Sequence, residues 1–386
     1  MCEVQIISGY EPLLALEPVW ADVAARGGGA GAFEPFALVR EAAAMDMRAG
    51  GEPMVAAVLR DGVPVTLLPL RRERMIGVRT AVPLVAPLAQ YADTIGLPLS
   101  PADMPDFCAA LSRHGLDVLI FRKVREDGGL YDALSYYGHP QNAHERALFI
   151  DLDGYRTFDA YDASFSGATR RNRRQRKQKL ESQRGALSFS ILRGAEALPA
   201  FELALDWKRQ WLAQRGTSSA VFDGGPWEGL LRSTVASGAA IVSVLAAGGV
   251  PAAVEIGYED RASYLSYLGA FDPELSSFSP GQEQMLRTIA WCFARGFARY
   301  DLLAPADDYK LQWTRTGTGV AINDYALPLT HVGRGAAELR RHVRPLARDV
   351  YLRLSPEMRT AGGRYGVPAA AALAAMCAGA VMAAIE

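Results

Sequence analysis

One pattern is written twice in this chain of 386 residues, and it restricts the possible folds more than any other feature. Ser100-Pro101 opens a helical stretch that Gly115 ends, and Asp117–Phe121 then reads as a strand. Ser279-Pro280 opens another, Gly296 ends it, and Tyr300–Leu303 is again a strand. Proline has its φ already set for a first helical turn and lacks an N–H that would find no partner there. Glycine past the last turn supplies the left-handed cap. A hairpin precedes each copy: Pro53–Leu59 with Val63–Leu70 across Asp61-Gly62, and Ile241–Leu245 with Val250–Tyr258 across Ala247-Gly248-Gly249. Asp-Gly between apolar runs signals a type I′ turn. A further strand follows each hairpin, near Ala81–Val85 and at Ser263–Ala270. The repetition predicts a degenerate duplication of one α/β unit.

The second copy carries more chemistry than the first. Gly281 follows Ser279-Pro280 and lets a ligand approach backbone N–H groups at the positive end of the helix dipole, a natural seat for phosphate. The helix it opens buries one face, with Met285, Leu286, Ile289, Cys292 and Phe293 at helical spacing. The competing reading of Ser279, Pro280, Gly281 and Gln282 is an ordinary helix cap. The first copy has Ala102 in place of Gly281 and no counterpart of Tyr309-Lys310, so a ligand site is expected in the second.

Between the copies, Ile150–Asp153 reads as a boundary strand and Leu198–Gln214 as a helix with Leu203, Trp207 and Trp211 stacked at i, i+4 and i+8. Seven of the ten residues from Arg170 to Lys179 are basic and none is acidic. Helical spacing puts Arg170, Arg173, Arg174 and Lys177 on one face, where like charges repel unless an anion neutralises them. A solvated face is the plainer alternative. No aromatic residues are interleaved for base stacking, which weighs against a dedicated nucleic-acid reader. Past the second copy, Val320–Leu327 reads as a last strand and Ala336–Leu354 as a basic amphipathic helix. The uncharged, alanine-rich stretch Tyr365–Ile385 has one leucine and no phenylalanine, so it reads as a packed helix or loose tail before a membrane span.

Composition bounds the rest. Forty-one basic and 42 acidic residues give a net charge of -1, which offers no global attraction to nucleic acid. Cys2, Cys108, Cys292 and Cys377 lie far apart with no CxxC spacing, which predicts free thiols in a reducing compartment. No basic region followed by an apolar run marks a leader, so a cytoplasmic place is expected. His114, His139, His144, His331 and His342 show no metal-ligand spacing, and no metal is expected. Neither a GxSxG elbow nor a P-loop is present.

Ala270-Phe271-Asp272-Pro273, Ser279-Pro280-Gly281, the Asp301-Leu302 strand and Tyr309-Lys310 with Trp313 resemble the C-terminal half of GNAT-like acyltransferases of the CelD/BcsL type, relatives of the FemAB peptidyltransferases. Arg170-Arg171-Asn172-Arg173-Arg174 is similar to that family's Arg-x-Asn-x-Arg-Arg pattern with altered spacing. The chain departs from the family at Ala304–Asp308, which lacks the usual glycine. The resemblance, weak over the first 150 residues and clear from about Phe158 to Leu327, implies an α/β (α+β) fold. It would consist of two tandem GNAT-like domains, each a mixed, mostly antiparallel sheet flanked by helices: residues 1–150, then 151–330 with the functional cleft, then a helical tail over 331–386.

The implied reaction moves an acyl group, acetyl foremost, from acyl-CoA to an amine or hydroxyl of a sugar or envelope precursor, without a metal. Ser279, Pro280, Gly281 and Gln282 would hold the pyrophosphate, with the thioester along Leu268, Gly269 and Ala270. Asp301 is either the general base or a structural acid paired with an arginine. Glu255, a carboxylate among apolar neighbours, is a second candidate base. Lys310 would stabilise the oxyanion or hold phosphate, and Tyr309 or Tyr300 could protonate the leaving thiolate. Two other readings stand beside this one. A Fem-like transferase would take its acyl group from aminoacyl-tRNA, and a non-catalytic protein would dock its basic helix on an anionic polymer or on the inner face of a membrane.

Overall fold

The computed structural model describes residues 2–75, 77–141 and 145–353. The expected alanine-rich stretch Tyr365–Ile385 lies outside these residues, as do His144 and Cys377. The first half runs β1 (Cys2–Ser8), α1 (Tyr10–Leu14), α2 (Glu17–Arg26), α3 (Phe36–Arg48), β2 (Pro53–Arg60), β3 (Val63–Met75), β4 (Val78–Pro83) and the short β5 (Ile95–Gly96). It continues with α4 (Met104–Arg113), β6 (Val118–Arg125), α5 (Tyr131–Tyr137), β7 (His139–Pro140) and β8 (Glu145–Asp151). The second half opens with α6 (Leu152–Tyr155), α7 (Phe158–Ala163), α8 (Gly167–Arg184), β9 (Leu187–Leu192), α9 (Leu198–Gln214) and α10 (Pro226–Ala236). Then come β10 (Ala240–Ala247), β11 (Val250–Asp260), β12 (Ser263–Phe271), α11 (Pro280–Arg295), β13 (Arg299–Asp301), α12 (Asp308–Thr314), β14 (Gly319–Pro328) and α13 (His331–Arg353).

Both hairpins form where the turn chemistry places them. Asp61 and Gly62 take φ of 51° and 78°, and Gly248 and Gly249 take 59° and 84°. Two successive left-handed residues are what a two-residue type I′ turn requires. The β2–β3 and β10–β11 pairs are antiparallel. In each half a helix then carries the chain over to a parallel neighbour: α4 between β4 and β6, α11 between β12 and β13. The duplicated unit is therefore real at the level of topology.

All these strands join one mixed sheet in the order β1-β2-β3-β4-β6-β14-β8-β13-β12-β11-β10-β9, with β5 beside β3 and β7 beside β14. The two halves exchange their last strand. β8, which follows β6 in the chain, lies against β13, whereas β14, which follows β13, lies against β6. The exchanged strands pair antiparallel with each other and stitch the halves into one sheet.

Apolar side chains from both halves also share a buried cluster, with Trp20, Val39 and Leu67 from one and Phe201, Leu205, Val254 and Ile256 from the other. On the opposite face of the second half, Met285, Ile289 and Cys292 of α11 pack with Ile241, Tyr264 and Tyr300. Strand residues alternate between the two faces, so Val254 and Ile256 face α9 while Glu255 faces α11.

Candidate active site

β12 and β13 are paired only at Ser263–Arg299, Tyr264–Tyr300 and Leu265–Asp301. Beyond Leu265 the two strands part, and β12 runs on to Phe271 without that neighbour. A bulge between Ile256 and Gly257 of β11 leaves Tyr267 as an extra residue on β12 and bends the strand at this point. The gap opens a cleft of about 800 Å³ through the sheet. Its walls include Trp207, Lys208 and Trp211 of α9 on one side and Gly281, Gln284 and Met285 of α11 on the other, with Glu255, Gly269, Ala270, Tyr309 and Lys310 between them.

The start of α11 faces this cleft, and its chemistry differs from its counterpart in the first half. There, Ser100 accepts from the Ala102 N–H while Asp103 accepts from the Ser100 N–H, and the Asp103 carboxylate also pairs with Arg60. Side chains close that helix start and put a negative charge on it. In the second half no side chain caps α11. Ser279 has a left-handed backbone, φ 52° and ψ 52°, so its hydroxyl is turned away from the orphan N–H groups. A Cβ on Gly281 would come within 3.3 Å of the Phe271 ring, a tight contact that glycine avoids beside these N–H groups. The acid of this first turn, Glu283, is held by Arg287 at 2.8 Å.

A cation completes the helix start. Arg176 of α8 donates to Ser279 Oγ at 3.2 Å and to Gln282 Oε1 at 3.4 Å. The basic helix is thus anchored on the expected phosphate seat, through a residue that the sequence pattern did not single out. Of the residues that it did single out, Arg170, Arg173 and Lys177 turn inward with buried Leu180, and only Arg174 is fully on the outer face. Arg173 is occupied: it pairs with Asp162 at 3.3 Å and lies 3.9 Å from the Phe165 ring and 4.7 Å from the Trp313 ring. The spacing located a common face, but three of its four cations are folded against the protein.

Glu255 sits at the floor of the cleft with 2% of its surface exposed. Tyr300 donates to both its oxygens at 2.8 Å, and Tyr264 donates to Oε1 at 3.0 Å. Burial pushes its carboxyl up to about 7; the tyrosine hydroxyls oppose that rise because they stabilise the charged form. Gln284, also on the cleft wall, is held by Ser243 and Thr288 beneath it.

Asp301 is placed elsewhere. It neighbours Tyr300 on β13, so strand alternation sends its carboxylate to the opposite face from Glu255. There it is paired with Arg125 at 2.5 Å, accepts from the Tyr91 hydroxyl at 2.9 Å and from the Leu303 N–H at 2.7 Å, and lines a separate cavity of about 360 Å³. Of its two sequence readings, the acid paired with an arginine is the one the contacts describe.

Tyr309 and Lys310 lie on the first turn of α12, which Asp307 caps through the Lys310 N–H at 2.8 Å. Leu303, just before the loop that leads to this pair, takes a left-handed φ of 61°. The Lys310 ammonium donates to Leu303 O at 3.0 Å and to Pro305 O at 2.8 Å, so two of its three donors hold this loop. Burial lowers its pKa. The Tyr309 hydroxyl lies 3.4 Å from Met285 Sδ, where burial, with Glu255 adding to it, pushes its pKa up to about 12.

Residues 167–311 match the family model described as the acetyltransferase (GNAT) domain. Among solved structures, the chain is similar to FemX, with a TM-score of 0.52 and 12% identity over 78% of this chain and 93% of that one. It is also similar to a tandem GNAT protein from the clavulanic acid biosynthesis pathway, with a TM-score of 0.44 and 11% identity over 85% of this chain and 99% of that one. At this identity the FemX likeness speaks for the fold alone. No curated protein matches the sequence. The stretch that matches the GNAT model contains Glu255, the open start of α11 and most of the residues that line the cleft.

Proposed function

We propose that this protein is an acyltransferase that moves an acyl group, acetyl foremost, from acyl-CoA to an amine or hydroxyl of a sugar or envelope precursor, in the manner of the CelD/BcsL-type enzymes it resembles. The observation that carries this reading is the pairing of an uncapped helix start, with Arg176 over it, and a buried carboxylate of near-neutral pKa in one cleft.

The donor's pyrophosphate sits on the N–H groups past Pro280 and on Arg176, where partial positive charge and a guanidinium meet. Its pantetheine follows the free edge of β12 along Gly269 and Ala270, pairing with backbone groups that β13 leaves unpaired. The thioester then reaches the cleft floor. Glu255 in its charged form accepts the proton of the incoming amine or hydroxyl as the new C–N or C–O bond forms. The C–S bond breaks, and the Tyr309 hydroxyl supplies a proton to the departing thiolate. A base with a pKa near 7 combines availability with basicity at neutral pH. Lys310 keeps the 303–305 loop in place and has one donor left for the oxyanion.

Isothermal titration with CoA, acetyl-CoA and a longer acyl-CoA tests the donor half of this reading, with Gly281→Asp as the control. Micromolar binding that Gly281→Asp abolishes supports it; no binding of any of the three sinks it. A second reading, aminoacyl transfer from tRNA, is favoured by the exposed Arg171 and Arg174 on the outer face of α8, with exposed Arg184 at its end. A steep log-linear loss of activity with salt would select it, because tRNA makes many phosphate contacts and CoA few.

A further inference from the structure

The α9 wall of the cleft carries charge that the acyl-transfer reading has not used. Trp211 leaves 39% of its surface exposed, one of the few large aromatic side chains so placed. Lys208 and Arg215, three residues before it and four after, both reach its ring: Lys208 Nζ and the Arg215 guanidinium carbon each lie 4.1 Å from the centroid. Among the described residues no carboxylate pairs with either cation. The acids nearby are committed to Arg209, which takes Asp206 at 3.0 Å and Glu228 at 2.6 Å. Burial and the neighbouring Arg215 lower the pKa of Lys208, so holding a proton there costs free energy that a bound anion would recover.

Arg215 alone has an ordinary explanation, since a cation at a helix C-terminus is favourable. Lys208 has none: it lies well inside α9, lines the cleft, and shares its charge with another cation over one indole. The donor's charges are met on the other face of the sheet, by α11 and Arg176. The α9 corner is therefore available to the acceptor. Beside it the cleft is lined by the amide of Gln214, a group that can both donate to and accept from hydroxyls, while the Gln90 amide is taken by Lys123. Two unneutralised cations held over one indole, with an amide beside them, describe a ligand with a negative charge and hydroxyls.

We infer that Lys208, Trp211 and Arg215 form the acceptor subsite and select an anionic sugar, its carboxylate or phosphate on the two cations that the Trp211 ring holds in place. This rests on the acyl-transfer reading, and the test separates the two. Binding of N-acetylglucosamine 6-phosphate, glucuronate, N-acetylglucosamine and glucose is measured by calorimetry on the full chain, with and without saturating CoA. The anionic sugars are expected to bind at least about tenfold tighter than their neutral counterparts, as one charged hydrogen bond gives. Lys208→Met and Arg215→Gln should each erase most of that preference, and Trp211→Leu, which removes the ring that holds both cations, should reduce it too. CoA affinity should stay unchanged in all three variants. Equal binding of charged and neutral sugars overturns the inference. So does a Lys208→Met variant that loses affinity for CoA but not for dephospho-CoA, because the cations then serve the donor's 3′-phosphate. Failure of CoA itself to bind strikes the acyl-transfer reading, whatever the sugars do.

Discussion

Tyr300 places its hydroxyl 2.8 Å from each oxygen of Glu255, so one donor from β13 straddles a carboxylate on β11 across the intervening strand. The contact spans the point at which β12 and β13 begin to part. It couples the protonation of Glu255 to the geometry of the cleft.

Glu255→Gln should lower the rate of acyl transfer by about 10²–10⁴-fold while CoA still binds, which separates the chemical step from donor affinity. In the unaltered protein the rate should rise with pH through about 7, because only the charged carboxylate accepts a proton. Tyr300→Phe removes a hydrogen bond that favours the charged form, so its pH–rate curve should move to higher pH. A curve that stays in place would separate Glu255 from the proton transfer.

The same carboxyl should leave a mark on stability. Its folded pKa, about 7, lies above the ordinary 4.5, so the unfolded chain gives up this proton first as pH rises. Glu255 then destabilises the fold progressively between about pH 4.5 and 7, by up to about 3 kcal/mol at the upper end. Thermal melts should show Glu255→Gln more stable than the unaltered protein at pH 8 and closer to it at pH 4. Equal gains at both pH values would contradict the shift.

Asp301→Asn should behave as a structural lesion. It removes the buried one of two carboxylates on the Arg125 guanidinium, which keeps Asp127 at 2.7 Å, so the loss is that of a charged hydrogen bond, about 1.5–3 kcal/mol. Melting temperature should fall, with kcat of the folded fraction little altered. A stable variant with a rate loss of the size expected for Glu255→Gln would restore Asp301 as the base.

Arg176→Ala should weaken CoA about tenfold or more, the worth of a charged hydrogen bond to phosphate, and should do the same to dephospho-CoA. Arg171→Ala on the outer face of α8 serves as the control and should leave titration with CoA unchanged. Equal losses in both would spread the effect over the whole basic helix.

Much of this architecture was legible in the residues. The I′ turns at Asp61-Gly62 and Gly248-Gly249, the helix from Leu198 to Gln214, and the Ser-Pro starts with glycine ends are local signals, and local physics fixes them. The open start of α11 was legible for the same reason. Arg176 was not. Its partners, Ser279 and Gln282, are more than a hundred residues away, and no periodicity within α8 distinguishes it from Arg173, whose charge is occupied by Asp162 and two aromatic rings. The two faces of β13 were legible only in part: alternation separates Tyr300 from Asp301, but which face holds the cleft depends on where β12 leaves its neighbour. Cys2–Ser8 escaped notice as a strand because a short edge strand has little pattern to show, and α12 because Asp308–Thr314 is barely two turns.

The exchange of β8 and β14 has a consequence for how this chain can be divided. Cut between Asp151 and Leu152, each fragment would carry away the strand that its partner's parallel pair leans on, and each would keep a vacant berth beside β6 or β13 with unpaired backbone groups along it. Separately expressed, the fragments should clump; expressed together, they should find one another and rebuild the cleft. The halves are clasped hands rather than beads on a string, and neither lineage of this doubled chain can be shed without dismantling the other.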